Sequence, residues 1–299
     1  VPHQVATPPT IAKSFAPTQI KVGETSVMTF NVTNPNSALA LSNISFNDTF
    51  PAGVEVNTPV VSTNTCGGTL TPALTGGETS FSYSGGSLGF NGTCAISVQV
   101  KATTAGVKNN TTGVISATET GGSATSNTAT LTVVGAPTLS KGFTPSTVIV
   151  GQTSSLGFTI TNSNTTVALT GIGFTDTLPA GMVVGTSSTS TCGGTLTTTA
   201  PNQIAFSGGT LAAGNPSPTT CTFSVTVTAT AIGSLVNTTG TISSTESGPG
   251  GTATATLTVT KANTTTTITA DTPDPSVTGQ AYAVTAIVAV VSPGTGTPT

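Results

Sequence analysis

The sequence predicts an all-β protein in which one β-sandwich unit is written twice, and three observations carry that reading. Apolar and polar residues alternate over short runs, as at Ile96, Val98 and Val100 and at Phe223, Val225 and Val227, which is the period of a half-buried strand. Turn clusters such as Ser84-Gly85-Gly86 and Ser207-Gly208-Gly209 separate these runs, and stretches with the helical period are hard to find. The chain also matches itself at an offset that drifts only between about 123 and 128 residues, so insertions are confined to loops.

The elements follow in order. A Pro-rich tail occupies residues 1–8, the first unit 9–134, the second 135–262, and the opening strands of a third unit 263–299. Pro9-Thr10-Ile11-Ala12-Lys13-Ser14-Phe15-Ala16-Pro17 returns as Pro137-Thr138-Leu139-Ser140-Lys141-Gly142-Phe143-Thr144-Pro145. Phe30 maps to Phe158, and Asn34 to Asn162. Phe46-Asn47-Asp48-Thr49-Phe50-Pro51-Ala52-Gly53 matches Phe174-Thr175-Asp176-Thr177-Leu178-Pro179-Ala180-Gly181. Thr65-Cys66-Gly67-Gly68-Thr69 matches Thr191-Cys192-Gly193-Gly194-Thr195, and Asn110-Thr111-Thr112-Gly113 matches Asn237-Thr238-Thr239-Gly240. Seven or more short strands in about 127 residues fit an immunoglobulin-like sandwich.

Composition narrows the function. Only 5% of the chain is charged and 35% is hydrophobic, which is unlike a disordered chain. A net charge of −3 with six scattered Lys and no Arg cannot build a nucleic-acid-binding stripe. The single His, His3, lies in the tail, so no buried imidazole is available for a Ser–His–Asp site, a Cys–His site or a His-ligated metal. No enzyme activity, cofactor or metal is expected. The longest apolar run, around 283–291, is well short of a bilayer span, so no membrane insertion is expected in this segment. No signal-peptide pattern opens the chain, which predicts one absent or already removed. Four cysteines without a CxxC pair read as structural disulfides. Cys66–Cys94 and Cys192–Cys221 sit at the same internal positions, so each is expected to close a loop inside its own unit. An oxidised, Thr-rich, weakly charged chain fits an exported, cell-surface or extracellular bacterial protein.

The succession K-x-F-x-P, G-x-T/S, F-x-D-T-x-P-A-G, T-C-G-G-T and a second Cys resembles the conserved-repeat domains of large bacterial surface proteins. It covers residues 9–134 and again 137–260. The resemblance implies an Ig-like module used in tandem, and no reaction. Residues 264–299 resemble the start of a different bacterial Ig-like repeat, of which only the first strands are present.

The residues closest to chemistry are a repeated Lys and Asp. Ile11, Lys13 and Phe15 share one side of an alternating strand, as do Leu139, Lys141 and Phe143, so the amine is aimed at the core. Phe46, Asp48 and Phe50, and Phe174, Asp176 and Leu178, aim a carboxylate inward in the same way. A lone buried charge is costly, so the two are expected to meet. One outcome is a buried ion pair, or a Lys snorkelling to the rim with Asp48 capping the turn before Pro51. The other is an autocatalytic isopeptide bond, as in some surface-exposed bacterial Ig-like domains, which needs a neutral Lys, an Asn amide and a protonated acid. Asn110 and Asn237 are the candidates for the amide, although their parity relative to Ile115 and Ile242 is odd and does not place them inward.

Weaker signals are read blandly: Asp271 and Asp274 as a linker turn and not a Ca²⁺ site, Glu119 and Glu246 as solvated, Tyr83, Tyr282 and the repeated Phe set as core and not a sugar-stacking platform. The expected function is a non-enzymatic stalk or spacer of a surface or adhesin-like protein, with neighbouring Ig-like domains of the same or another copy as partners. The alternatives are a filament subunit that pairs by strand complementation, and a ligand-binding adhesin using loops 71–77 and 212–217.

Overall fold

The computed structural model describes residues 6–122, 124–187, 190–292 and 294; His3 and most of the expected tail lie outside them. All regular structure among the described residues is β-strand, in two compact units; the first takes the chain up to Gly135 together with Asn164–Val167 and Gly214–Ser217, and the second takes the rest.

In the first unit, Thr10–Ala16 pairs antiparallel with Thr25–Thr33, which pairs with Thr93–Ala102, with Val54–Val56 at the far edge. A second sheet places Leu41–Thr49 between Ser80–Leu88 and the short Ser116–Ala117. A third joins Gly106–Asn110 to Ala129–Val134, which runs parallel to Gln19–Lys21. Strict alternation explains the core: Met28, Phe30 and Val32 face inward from one strand, while the intervening Thr29 and Asn31 do not. Phe30 meets Phe46 of the opposite sheet at 5.3 Å between ring centroids.

The second unit repeats the plan. Thr138–Thr144, Thr153–Asn162, Thr219–Ala229 and Met182–Ser187 form one sheet. Leu169–Thr177 lies between Gln203–Leu211 and Ser243–Ser244, and Gly233–Thr238 pairs with Thr254–Thr260. Phe158 meets Phe174 at 5.4 Å. The tandem all-β sandwich read from the sequence is the fold observed, with one disulfide inside each unit. Cys66–Cys94 and Cys192–Cys221 each have a Cα separation of 5.0 Å. The second glycine after the first Cys of each unit has a local cause. Gly68 and Gly194 lie at φ +65° and +66°, and a Cβ there would collide with the carbonyl oxygens of Ser84 and Ser207.

Residues Thr264–Thr272 and Ala283–Val290 form an antiparallel hairpin. Tyr282, Val284, Ala286 and Val288 alternate with Ala283, Thr285, Ile287 and Ala289, the two-faced apolar pattern of a central strand; among the described residues the strand Ala283–Val290 pairs only with Thr264–Thr272, and both its faces are open. Val284 is 53% and Ile287 56% exposed. Two strands cannot enclose a core, so the apolar faces stay bare. Tyr282, read as core, is exposed as well, and its hydroxyl donates to Asp271 Oδ2 at 3.0 Å.

Candidate functional site

Each sandwich holds a buried cluster of Lys, Asp and Asn side chains drawn from three sheets. In the first unit Lys13 comes from Thr10–Ala16, Asp48 from Leu41–Thr49 and Asn110 from the end of Gly106–Asn110. Lys13 Nζ lies 2.5 Å from Asp48 Oδ2, and it also contacts Asn110 Oδ1. Asn110 Nδ2 donates to Asp48 Oδ1 at 3.1 Å and to the Thr49 carbonyl at 2.9 Å. Both side chains of the ion pair are fully shielded from solvent. The Lys13 amine sits over the Phe30 ring, 4.8 Å from its centroid.

The second unit builds the same triangle. Lys141 Nζ reaches Asp176 Oδ2 at 3.0 Å and Asn237 Oδ1 at 2.6 Å. Asn237 Nδ2 donates to Asp176 Oδ1 at 2.8 Å and to the Thr177 carbonyl at 3.1 Å. Lys141 lies 5.9 Å from the Phe158 ring centroid.

Burial in this apolar setting disfavours both charges. It pulls the Lys13 amine down to about 8, against the opposing pull of Asp48, and pushes the Asp48 carboxyl above its ordinary range. Lys141 is lowered for the same reason. The surroundings of the first cluster therefore bring the amine and the acid closer together in proton affinity, a pairing suited to proton exchange.

The structure thus brings together all six residues singled out from the sequence, including the two Asn whose direction the alternation left open. Parity failed there because Gly106–Asn110 ends at Asn110, and Ile115 lies beyond the loop that follows. Sequence reasoning missed two further groups. Asn127 clips the backbone of Lys13, accepting from its N–H at 2.8 Å and donating to its carbonyl at 3.0 Å. Lys108 is buried as well, and its Nζ donates to the Ala52 carbonyl and the Thr104 hydroxyl at 2.9 and 2.8 Å. The acidic residues read as solvated have a task. Glu119 Oε2 accepts from the Ser42 N–H at 2.8 Å and its Oε1 from the Ser42 hydroxyl at 2.5 Å, and these bonds hold the carboxyl below its usual range. Glu246 accepts from the Thr170 N–H and hydroxyl through the same two oxygens, at 2.8 and 2.5 Å.

A family model for a domain of unknown function, DUF7933, matches residues 9–133 and again 137–259. The chain belongs to that family. Its two DUF7933 domains each carry one disulfide and one Lys–Asp–Asn cluster. No curated protein matches the sequence. Among solved structures, the C-terminal domain of the Streptococcus pyogenes antigen I/II-family protein AspA is similar at 10% identity and a TM-score of 0.50. The match covers 84% of this chain and 98% of that one, and it agrees with the fold described here. The C-terminal domain of the Streptococcus agalactiae AgI/II polypeptide BspA matches at 11% identity and TM-score 0.46, covering 84% and 99%. The major pilin subunit BcpA of Bacillus cereus matches at 11% and 0.36, covering 95% and 67%.

Proposed function

We propose that the DUF7933 pair is a non-enzymatic structural module, a stalk or spacer, of a bacterial cell-surface or secreted protein, akin to the conserved-repeat domains its motifs resemble. The observation that carries this reading is duplication of the ties and not of a cleft. Both domains are closed by a disulfide at the same place and knit internally by the same buried cluster. Disulfides persist in oxidising compartments, which supports export. The short Thr and Ser side chains that dominate the outer faces suit a spacer that presents little chemistry of its own. The surface proteins among the structural neighbours are in keeping with such a role. In the source organism, an antibody against residues 9–260 is expected to label intact cells, and external protease to remove the signal. Labelling only after permeabilisation would overturn the assignment.

A second reading has its own observation. The hairpin of Thr264–Thr272 and Ala283–Val290 exposes apolar side chains on both faces, which suits completion by further strands. In a filament subunit those strands come from another copy, so deleting residues 264–299 would abolish assembly. Assembly that survives the deletion would remove this reading.

A further inference from the structure

The clusters are arranged for more than an ion pair. An ion pair needs an ammonium and a carboxylate, yet each cluster adds an Asn whose amide is held by its two ends. Its Oδ1 contacts the Lys amine and its Nδ2 lies on the Asp, so the amide carbon between them is presented to Nζ. The two carboxyl oxygens of the Asp are divided between the same two partners. Asp48 Oδ2 faces Lys13 and Oδ1 faces Asn110 Nδ2; Asp176 divides its oxygens identically between Lys141 and Asn237. Every buried side-chain polar atom among the described residues has a hydrogen-bond partner, so no loose group competes at the site.

We propose that each domain closes an intramolecular amide bond, from Lys13 Nζ to Asn110 Cγ in the first and from Lys141 Nζ to Asn237 Cγ in the second, with Asp48 and Asp176 as the proton carriers. The neutral amine attacks Cγ, the Nζ–Cγ bond forms as the carbonyl electrons move to the Asn oxygen, and the Asp hydroxyl proton passes to the departing Nδ2. The tetrahedral adduct gives one of its Nζ protons to the carboxylate at Oδ2. The Cγ–Nδ2 bond breaks and Nδ2 leaves with the protons it needs as ammonia, the last supplied through Oδ1. The carbonyl re-forms, the Asp ends protonated as it began, and the net change is loss of one ammonia per domain. No oxidant, reductant or cofactor enters the balance.

Folding supplies the driving arrangement. Reactive groups fixed in one dry site gain effective molarities of about 10⁵–10⁸ M over free reactants. Amide formation also removes an amine whose charge the interior penalises. Lys108 is an internal control: it is buried in the first domain but donates to a backbone carbonyl and a hydroxyl, without a carboxylate or an amide side chain among those partners. The inference stands on the side-chain clusters and does not depend on the cell-surface reading.

The test is the intact mass of the reduced full chain, followed by peptide mapping. The expected result is a mass short by two ammonia, with two branched peptides, one joining the Lys13 and Asn110 segments and one joining the Lys141 and Asn237 segments. Lys13→Ala and Asn237→Ala should each restore one ammonia, and Lys108→Ala none. The wild-type readout does not depend on any variant folding. The full sequence mass would overturn the proposal, as would an ammonia deficit on linear peptides, the mark of a succinimide. A deficit of one ammonia would overturn it for the domain whose Lys peptide runs free.

Discussion

The two domains share a plan and differ around the first strand. In the first, Ser14 faces Thr29 across the pair of strands, and Asn127 grips the backbone of Lys13. In the second, Gly142 faces Gly157, and the chain passes from Ala253 to Thr254 with no residue at the place of Asn127. A shallow groove opens beside the paired glycines, lined by Ser140, Phe158, Thr191 and Phe223. The aromatic cores are redistributed too. Phe81 and Tyr83 in the first domain become Ile204 and Phe206 in the second, while Ile96 becomes Phe223, stacked on Phe158 at 5.0 Å. The Lys–Asp separation is 2.5 Å where the strand is clipped and 3.0 Å where it is not. The cluster thus keeps its geometry while the packing beneath and the strand edge outside it change.

That comparison can be broken most forcefully at the acid. Asp48→Ala removes the proton carrier, so Lys13 stays a free buried amine without its carboxylate, and the loss should be at least the about 3–5 kcal/mol that breaking a buried pair typically costs. Calorimetry should show the first domain's transition falling while the second stays in place, and Asp176→Ala should reverse the pattern. A mutation in one domain that lowers both transitions equally would contradict two independent units. Next comes the disulfide. Replacing Cys66 and Cys94 by Ser is expected to cost about 3–4 kcal/mol in the chain-entropy model, and the same change at Cys192 and Cys221 about as much, because the loops are of nearly equal length. Denaturant midpoints for the two double variants provide the check.

The titration of Lys13 sharpens the comparison further. In Asn110→Ala the amine stays free, and its folded value of about 8 lies below the ordinary 10.5. The unfolded chain then binds more protons than the folded one between those values, so stability should rise with pH from about 8 to 10.5. Wild type, with the nitrogen held as an amide, should lack this alkaline rise, and urea titrations across the window would show it. The smallest effect is expected at the glycines. Gly142→Ser with Gly157→Thr gives the second domain the first domain's strand pair, and an added Cβ meets nothing closer than 3.8 Å at either site. Relief of strand glycine is worth roughly 0.5–1 kcal/mol per site, so the second transition should move upward modestly. A fall would mean that the groove has a structural use.

What the sequence made legible follows from where alternation holds. Lys13 and Asp48 lie inside long strands, where the period of two fixes direction, and both face inward as their neighbours Phe15 and Phe46 require. Asn110 closes its strand, so parity carried across the next loop to Ile115 could not place it. Asn127 was invisible because its contact to Lys13 spans 114 residues and has no counterpart in the second repeat to flag it. Glu119 looked like a free surface charge because nothing local reveals that Ser42, 77 residues away, is its partner. The hairpin strand 282–289 was read correctly as apolar on both faces. A central place in a sandwich needs neighbours on both edges, and among the described residues this strand has one, Thr264–Thr272.

A lock in each sandwich between its first strand and the strand carrying Asn110 or Asn237 is tested by pulling single molecules from their two ends under non-reducing conditions. The locks enclose sequence separations of 97 and 96 residues, and those segments should never be released, so each domain should yield only the short chain outside its lock. Lys13→Ala should restore the long release in the first domain alone, shortened by the loop that Cys66–Cys94 still holds. Release of the enclosed segments in the wild-type chain would contradict the account.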